Sequence, residues 1–266
     1  IIFFKMNEII NYRLHKLKRI RALNNWDHFN YLKKLSSERL FERLFEIKRS
    51  FDLGLEIGCH SGEFGRLIKN KNKIKNLIQT DTIFGFCKKS QNSNFPSLNI
   101  DNSKLPFKNH QFDILISNFC FHWIKDVSGI LNQIKYLLKP NGCLLINFIG
   151  GKTLLELQKN LINIELEMLG GSSPRIIPFI DIKSAGVLTQ NSGFKLPVID
   201  KENINITHSS ILELFHDLRG MGETNCMDSI YKPLKREVIQ ELEKKLIHQN
   251  VIKSKFELIT ITAWKE

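Results

Sequence analysis

The sequence has few cysteines, and their spacing gives them no shared role. Five cysteines are scattered over 266 residues, and no two of them form a CxxC pair. An odd number of dispersed cysteines does not form a regular disulfide framework, and the spacing does not indicate a zinc site. We therefore expect no bound metal, and we expect four of the five thiols, which lie inside or beside apolar runs, to be packing residues.

A long hydrophobic run is also missing. The longest apolar stretches, ILISNFCFHWI and CLLINFI, are shorter than the roughly 18 residues needed to cross a bilayer. The first ten residues, IIFFKMNEII, lack the basic start, the long apolar core and the cleavage site of a secretory signal. We expect no membrane span, and a location in the cytoplasm for a bacterial protein or in the mitochondrial matrix for a eukaryotic one.

The sequence has fewer acidic than basic residues. It contains 27 Asp and Glu and 39 Lys and Arg, which give a net charge of +12. Most lysines lie singly along predicted helix faces, and no aromatic platform for stacking bases accompanies them. We expect no nucleic-acid partner. One dense basic cluster is typical of a solvated helix face, although a grip on phosphates or on an acidic partner protein stays open. This cluster consists of Arg13, Lys16, Lys18, Arg19 and Arg21.

Short apolar runs alternate with amphipathic stretches from residue 51 onward, after a helical lead-in over residues 31–49. This alternation predicts an α/β fold with a doubly wound, mostly parallel, seven-stranded sheet covered by helices on both faces. The last strand, FELITITAW, is expected to run antiparallel. We divide the chain into an N-terminal helical lead-in, residues 1–50, and a main domain, residues 51–266. Helices are predicted near 123–139, 151–168, 181–192, 209–219 and 233–248, and strands at FDLGLEIG, KNLIQTD, SLNID, FDILISN, GCLLINFI and FKLPVID with ENINI.

Polar residues and glycines follow the first four predicted strands, where a parallel sheet binds its ligands. Glu56, Gly58 and Gly62 follow the first strand, and the glycines allow a tight turn and a close approach to a ligand. Asp81 follows the second strand at the spacing expected of a carboxylate that binds a ribose diol. Asp101 follows the third strand and could accept a hydrogen bond from an adenine amine.

The first of these loops does not match a dinucleotide-binding loop. That motif, GxGxxG, needs a middle glycine next to the pyrophosphate, and His60 stands there between Gly58 and Gly62. Glu56 would also repel a phosphate. A cofactor with a cationic ammonium and no phosphate, such as S-adenosylmethionine, fits the pattern better. A turn selected only for packing is the alternative.

Several motifs occur in the order typical of class I S-adenosylmethionine-dependent methyltransferases: LEIGCHSGEF, QTD, NIDNSKLPF, FDILISNFCFHWIKD and LKPNGCLL. With GGSSPRIIPF, DIKSAGVLTQNSGF and DLRGMGETNC, the chain resembles the family of complex I assembly factor 5 and its alphaproteobacterial relatives. The resemblance implies a Rossmann-like methyltransferase fold and S-adenosylmethionine as cofactor. It implies cofactor contacts at Glu56, Gly58, Gly62, Asp81, Asp101 and Asn118, with His60 in the same loop.

The same resemblance gives conflicting indications about the reaction. Mitochondrial members are implicated in hydroxylating an arginine of a complex I subunit near the quinone site, whereas bacterial relatives are usually described only as methyltransferases. A non-haem iron oxygenase typically shows an HxD or HxE motif, and none of the eight histidines stands in one. A more distant resemblance to malonyl-acyl-carrier-protein O-methyltransferase offers another substrate. A non-catalytic assembly chaperone is the third hypothesis, and the oligomeric state is not predicted.

Substrate residues are sought among polar positions that the sheet does not require. His122 is a candidate general base, or else a histidine that locks its loop by a hydrogen bond, and Trp123 is a candidate pocket wall. Arg175 lies in a Gly/Pro-rich loop, at about 170–180, where it could grip a carboxylate. Arg219 and Glu223 flank two glycines in a segment, about 217–230, that could close as a lid or simply end a helix. Glu223 is the second catalytic candidate.

Overall fold

The computed structural model describes residues 10–228 and 233–266, which form two compact units. The sheet unit comprises Asn30–Ile149, Ile180–Lys201 and Leu258–Glu266. The helical unit comprises Ile1–Phe29, Gly150–Phe179 and Glu202–Glu257, of which residues 1–9 and 229–232 lie outside the described part. Residues 229 and 230 of the predicted segment 217–230 therefore lie outside it too. The division of the chain after residue 50 stays a prediction.

The strands of the sheet are β1 (Phe51–Ile57), β2 (Ile74–Asp81), β3 (Ser97–Asn99), β4 (Phe112–Asn118), β5 (Leu138–Ile149), β6 (Lys195–His208), β7 (Ile247–His248) and β8 (Val251–Trp264). They form a mostly parallel sheet in the order β3-β2-β1-β4-β5-β8-β6, with the two-residue strand β7 paired to β8. β1 pairs in parallel with both β2 and β4, and β5 pairs in parallel with β4. β8 runs antiparallel to β5, with Leu145 opposite Thr262. The predicted α/β fold and its antiparallel last strand are thus confirmed.

Helices connect these strands close to the predicted positions. The lead-in helix runs over Tyr31–Glu46, and the two segments predicted for the sixth strand form the single strand β6. None of the helices within the described residues combines the length and the apolarity that a bilayer crossing requires. The helices are α1 (Tyr12–Ala22), α2 (Trp26–Phe29), α3 (Tyr31–Glu46), α4 (Glu63–Ile68), α5 (Phe84–Ser90), α6 (Val127–Leu137), α7 (Leu155–Leu169), α8 (Ile182–Asn191), α9 (Ile211–Gly220) and α10 (Arg236–Leu246).

Both faces of the sheet are buried because the middle of its central strands is apolar, as in Ile114–Ile116 of β4. Successive side chains of a strand point to opposite faces. Leu115 of β4 accordingly packs in one core cluster with Ile130 and Ile134 of α6. Its neighbours Ile114 and Ile116 pack in a second cluster together with residues of α3 and α4. This arrangement fixes the carboxyl ends of β1, β2 and β4 at one edge of the sheet.

The basic cluster of α1 is only partly solvated. Arg13, Lys16 and Arg21 are exposed, as predicted for a solvated face, but Arg19 is buried. Lys18 is half-buried and donates a hydrogen bond to the carbonyl oxygen of Asn225. Burial lowers the pKa of Lys18. The expectation of a uniformly solvated face was wrong at these two positions, because α1 packs against the rest of the helical unit.

Candidate functional site

The ends of β1, β2 and β4 bring together most of the residues predicted to bind a cofactor. In the parallel register Glu56 of β1 lies beside Gln79 of β2 and Ile116 of β4. Within the sheet unit, the loop after β1 then begins at Gly58, whose N–H donates to the carbonyl oxygen of Thr80 across 2.9 Å. We call this region the strand-end site, formed by the ends of the three strands and the loops that follow them.

Glu56 is a fully buried carboxylic acid with only one of its two oxygens satisfied. Its Oε2 accepts a hydrogen bond from the side-chain amide of Gln79 at 2.7 Å, and Gln79 in turn accepts one from Ser93 at 2.6 Å. Its Oε1 has no hydrogen-bond partner among the described residues. Burial raises the pKa of Glu56 to about 7, against the opposing attraction of Lys33 and the hydrogen bond from Gln79. Near neutral pH this acid can therefore hold or release a proton.

Asp81 is fully buried at the end of β2 and accepts two backbone hydrogen bonds. The N–H of His60 donates to Oδ2 at 3.0 Å, and the N–H of Ile83 donates to Oδ1 at 2.8 Å. His60 has a left-handed backbone with φ of 49°, and its Nδ1 lies 3.0 Å from the carbonyl oxygen of Gly58. The histidine thus closes the loop where a dinucleotide motif would have glycine, and the aspartate fixes that conformation.

Gly58 and Gly62 both adopt left-handed backbone conformations, with φ of 72° and 84°. A Cβ atom on Gly58 would lie 2.5 Å from the sulfur of Cys120. One on Gly62 would lie 2.9 Å from the Cα of Ser90. Glycine is therefore required at both positions by the backbone and by close packing inside the chain itself.

Asn118, the last residue of β4, joins the strand-end site to α3. Its side-chain oxygen accepts from the hydroxyl of Ser36 at 2.6 Å, and its side-chain nitrogen donates to the hydroxyl of Ser37 at 2.6 Å. Asn147 of β5 donates to the carbonyl oxygen of Ser36 at 2.8 Å. The Asn118 side chain thus anchors a helix, which leaves its backbone carbonyl as the group facing the strand-end site.

Lys33 of α3 points its ammonium group at the strand ends. Its side chain is almost completely buried, with 1% of the residue exposed. Nζ donates to the carbonyl oxygen of Gly58 at 3.0 Å and to the carbonyl oxygen of Asn118 at 2.5 Å. The chain therefore places a cation between the ends of β1 and β4.

Asp101 and its neighbour Asn102 have different surroundings. Asp101 is exposed, and its Oδ1 accepts hydrogen bonds from the backbone and the hydroxyl of Ser103. Asn102 is buried, and its side-chain nitrogen lies 3.3 Å from the sulfur of Cys120. In this structure it is Asn102, rather than Asp101, that lies against the glycine loop.

His122 and Trp123 lie in a short 3-10 turn, Phe121–Trp123, directly after β4. Both side chains are buried. The His122 ring packs edge-on against Phe119, with ring centroids 5.3 Å apart, and lies 5.7 Å from the Trp123 ring. The structure thus places both candidates beside the strand-end site, in the sheet unit.

The other three substrate candidates belong to the helical unit. Arg175 contacts the buried carboxylate of Glu165 through Nε at 3.2 Å and through Nη2 at 2.5 Å. The carboxylate grip predicted for Arg175 is thus made to a residue of its own unit.

Arg219 and Glu223 lie at the end of α9, which forms a closed helix terminus. Gly222 has φ of 77°, and the N–H of Glu223 donates to the carbonyl oxygen of Leu218 at 2.8 Å. A Cβ atom on Gly220 would lie 2.2 Å from the ring of Phe29. These contacts are those of a glycine-terminated helix, which was the predicted alternative. Closure of segment 217–230 as a lid stays a prediction.

Sequence reasoning missed Lys33, Gln79 and Asn102. Lys33 was interpreted as one of many charges on an amphipathic helix. A usable signal was present, because Lys33, Ser36 and Ser37 lie on the same helix face as the apolar Leu40 and Leu44. Polar residues on the buried face of a helix indicate partners at the surface that the helix covers.

No group of three or more metal-ligating side chains occurs within the described residues.

The sequence and the fold are similar to those of methyltransferases. Residues 55–146 match the family model described as "Methyltransferase domain". A Rickettsia prowazekii protein named "Putative methyltransferase RP459" is 34% identical over 182 residues, which cover 68% of this chain and 79% of that protein. "Arginine-hydroxylase NDUFAF5, mitochondrial" of Rattus norvegicus is 38% identical over 200 residues, which cover 74% of this chain and 58% of that protein.

The chain belongs to the methyltransferase-domain family of NDUFAF5 and its bacterial relatives. It spans less than two thirds of the length of the NDUFAF5 relative from rat. A third relative, "Malonyl-[acyl-carrier protein] O-methyltransferase" of Methylovorus sp., is 24% identical over 260 residues, which cover 92% of this chain and 86% of that protein.

Solved structures share the fold of this NDUFAF5-family chain at low sequence identity. The YcgJ protein of Bacillus subtilis has a TM-score of 0.60 at 16% identity, covering 85% of this chain and 97% of its own. A Haemonchus contortus N-methyltransferase, in complex with S-adenosylhomocysteine, has a TM-score of 0.53 at 15% identity, covering 86% of this chain and 52% of its own.

Proposed function

We propose that the protein binds S-adenosylmethionine at the strand-end site and modifies an arginine side chain of a protein substrate. The observation that carries this proposal is the pair of fully buried carboxyl groups, Glu56 and Asp81, at the ends of adjacent parallel strands. Carboxylates at that edge suit a ligand that offers hydroxyl and ammonium donors and no phosphate.

The residues of the strand-end site fit the chemical groups of this cofactor. Asp81 is the hydrogen-bond acceptor proposed for the ribose hydroxyls, and the unsatisfied Oε1 of Glu56 is the acceptor proposed for the amino-acid end. The His60 amide and the backbone carbonyls of Gly58 and Asn118 complete a polar rim. The S-adenosylhomocysteine bound to the Haemonchus protein, which shares the fold, supports the same ligand class.

S-adenosylmethionine supplies an electrophilic methyl group when it is bound. The contribution of the chain is then to hold the acceptor atom in line with that group and to exclude water, because positioning provides much of the acceleration of such a transfer. An arginine nitrogen must also lose a proton during methylation. His122, which lies beside the strand-end site, is one proposed proton acceptor. Glu223, in the helical unit, is the alternative candidate, and its carboxylate is of the kind that orients a guanidinium group.

Arginine is proposed as the acceptor because of the name of the NDUFAF5 relatives, which designates them as arginine hydroxylases. We propose as substrate a subunit of respiratory complex I, at an arginine near its quinone site, and we retain both methylation and hydroxylation as outcomes. Hydroxylation would require dioxygen and a reductant, whereas methylation would require only the cofactor and a proton acceptor. Trp123, Arg175 and Arg219 are the further substrate residues in this proposal.

A second candidate function is O-methylation of a malonyl thioester on acyl-carrier protein. The similarity to the Methylovorus protein favours this function. The aligned region covers 92% of this chain and 86% of the Methylovorus protein, compared with 74% of this chain and 58% of the rat protein. A non-catalytic assembly factor with the same cofactor site would share the binding properties without the chemistry.

Mass spectrometry of the complex I quinone-site subunit tests the proposal. In a strain lacking the gene, we expect one arginine to be lighter than in wild type by the net mass of either a CH2 unit or an oxygen atom. An unmodified arginine in both strains, together with biotin auxotrophy of the deletion strain, would instead establish the second candidate. Calorimetric titration of purified protein with S-adenosylhomocysteine provides the binding test, with NAD as the negative control.

A further inference from the structure

The ammonium group of Lys33 is buried without a counter-ion. Its two hydrogen-bond partners, the carbonyl oxygens of Gly58 and Asn118, are both neutral. No carboxylate of the described residues lies within ion-pair distance of Nζ, although Glu56 is close enough to be affected by its charge. An ammonium group has three N–H donors, and one of them is left over here.

Such an arrangement is costly unless something compensates for it. A buried charge is normally paired, since desolvation of an unpaired ammonium group costs several kcal/mol or more. A methionine or leucine would fill the same space on α3 without this cost. The cation therefore points to a function that a purely structural residue would not need, and that function requires an anion from outside the described chain.

Glu56 provides the opposite half of the same pattern. It is a buried acid whose Oε1 has no donor, and it does not form an ion pair with Lys33. An unsatisfied carboxyl oxygen and an unpaired cation thus occur in the same strand-end site, with Lys33 close enough for its charge to act on Glu56. A ligand that carries both an ammonium and a carboxylate group would satisfy both, whereas a phosphate or a simple cation would satisfy only one.

We propose that Lys33 binds the α-carboxylate of the amino-acid end of the cofactor, and that the α-ammonium of the cofactor replaces the Lys33 ammonium on the carbonyl oxygens of Gly58 and Asn118. This inference rests on the proposed function, because it assumes an adenosyl amino acid in the strand-end site. It assigns a specificity-determining role to a residue of α3, which lies outside the matched methyltransferase domain.

The exchange keeps every backbone acceptor satisfied. One ammonium group replaces another on the two carbonyls, so no hydrogen bond is lost there. The Lys33 stem can stay packed against the helix face while only its last torsions rotate. α3 itself stays in place through the bonds of Ser36 and Ser37 to Asn118. Lys33 then exchanges two neutral acceptors for a charged one, and hydrogen bonds to charged groups are the stronger kind.

Isothermal titration with three probes tests this role. S-adenosylhomocysteine carries both the α-ammonium and the α-carboxylate, decarboxylated S-adenosylhomocysteine lacks only the carboxylate, and 5′-methylthioadenosine lacks the amino-acid end. For Lys33→Met we expect the affinity for S-adenosylhomocysteine to fall about tenfold or more, in keeping with the loss of one charge-assisted hydrogen bond. The affinity for methylthioadenosine should change less than about threefold. Lys33→Arg should retain most of the wild-type difference in affinity between S-adenosylhomocysteine and methylthioadenosine.

Lys34→Met is the matched control, because Lys34 is the exposed neighbour of Lys33 on the same helix, and it should bind all three probes like wild type. Tighter or unchanged binding of S-adenosylhomocysteine by Lys33→Met would overturn the inference, as would an equal loss for all three probes. If Lys33→Met does not fold, the affinities of the wild-type protein for the probes test the inference by themselves. The wild-type protein should then bind S-adenosylhomocysteine about tenfold more tightly than the decarboxylated probe, and equal affinities would overturn the inference. A wild type that binds none of the probes contradicts the proposed function itself.

Discussion

The backbone N–H of His60 donates a hydrogen bond to the carboxylate of Asp81 across 3.0 Å. This bond ties the loop after β1 to the end of β2. The other carboxylate oxygen of Asp81 accepts from the N–H of Ile83, so one buried side chain holds the loops of two neighbouring strands. Asp81 is therefore expected to contribute to the stability of the sheet unit as well as to ligand binding.

Asp81→Asn should destabilise the protein by about 1–3 kcal/mol. An asparagine has one acceptor oxygen, so one of the two backbone N–H groups would face an amide NH₂ group and lose its partner. Urea denaturation followed by circular dichroism would measure the free energy of unfolding of the variant and of wild type.

Asp181→Asn is the matched control for that substitution. Asp181 caps the amino end of α8 with a single hydrogen bond, from the N–H of Ser184 at 2.7 Å. Asparagine caps helices about as well as aspartate, so this variant should unfold like wild type. Equal stability of Asp81→Asn and Asp181→Asn would show that the two backbone bonds to Asp81 contribute nothing.

Glu56 should make stability depend on pH. Because burial raises the pKa of Glu56 from 4.5 to about 7 in the folded protein, the folded state binds the proton more tightly than the unfolded state. The resulting stabilisation is fully present below pH 4.5 and is lost as the pH rises through about 7. Glu56→Gln cannot ionise, so its stability relative to wild type should rise by about 3 kcal/mol between pH 4.5 and pH 8.

The Glu56 prediction is checked by urea denaturation of both proteins across this pH range. Glu42→Gln, a change at an exposed carboxylate of α3, should give a profile parallel to that of wild type. If the profile of Glu56→Gln also parallels wild type, then Glu56 is solvated or paired in solution and its proposed role at the strand-end site is wrong.

The fold could be predicted from the sequence because its strands are short apolar runs separated by amphipathic helices. The lead-in helix, the parallel strands and the antiparallel last strand all follow from periodicity and from turn residues. The basic cluster of α1 was less predictable. Whether Arg19 is buried depends on what packs against the helix, and a periodic pattern of charges contains no information about that partner.

Gly58→Ala should destabilise the sheet unit by about 2–5 kcal/mol, the sum of a left-handed backbone and an overpacked contact. The added Cβ would lie 2.5 Å from the sulfur and 2.6 Å from the Cβ of Cys120. Shortening Cys120 to alanine therefore cannot relieve the clash, whereas Cys120→Gly in the same chain should recover part of the loss. Urea denaturation of the single and double variants measures both effects.

Gly193→Ala separates backbone strain from packing. Gly193 also lies in the sheet unit and has φ of 76°, but its added Cβ would meet the terminal ammonium of Lys135, which can move away. Its cost should be close to the strain alone, about 1–2 kcal/mol. A cost for Gly193→Ala equal to that of Gly58→Ala would show that the Cys120 contact is not tight in solution.

The sequence identified the carboxylates and glycines of the strand-end site as candidates, but it did not identify the cation, Lys33. Acidic residues and glycines at strand ends have a fixed meaning in a parallel sheet, which is why Glu56, Gly58 and Asp81 could be selected as candidates. Lys33 lies on a helix distant in sequence, and its approach to the strand ends depends on how α3 docks. The helical period places Lys33, Ser36 and Ser37 on the buried face of α3, but it does not identify Asn118 as the residue to which the two serines bind.

Arg175 is a proposed substrate residue that also holds the buried carboxylate of Glu165, and its substitution distinguishes the substrate role from the structural one. Among the described residues, Arg175→Met would leave the buried carboxylate of Glu165 with one hydrogen-bond donor, the N–H of Ser173 at 3.0 Å. Breaking a buried ion pair in this way should cost about 3–5 kcal/mol. Replacing Glu165 by Gln in the same chain should recover most of that loss, because no uncompensated charge then remains.

Lys245→Met is the control for this prediction, since it breaks an exposed ion pair to Glu167 on the same helix, α7. Exposed pairs contribute about 0–1 kcal/mol, so this variant should unfold almost like wild type. Thermal and urea denaturation provide the stability measurements, and modification of the substrate arginine provides the functional one. A stable Arg175→Met variant that fails to modify its substrate would show that Arg175 serves the substrate; an unstable one that Glu165→Gln restores to both folding and activity would show that it serves α7.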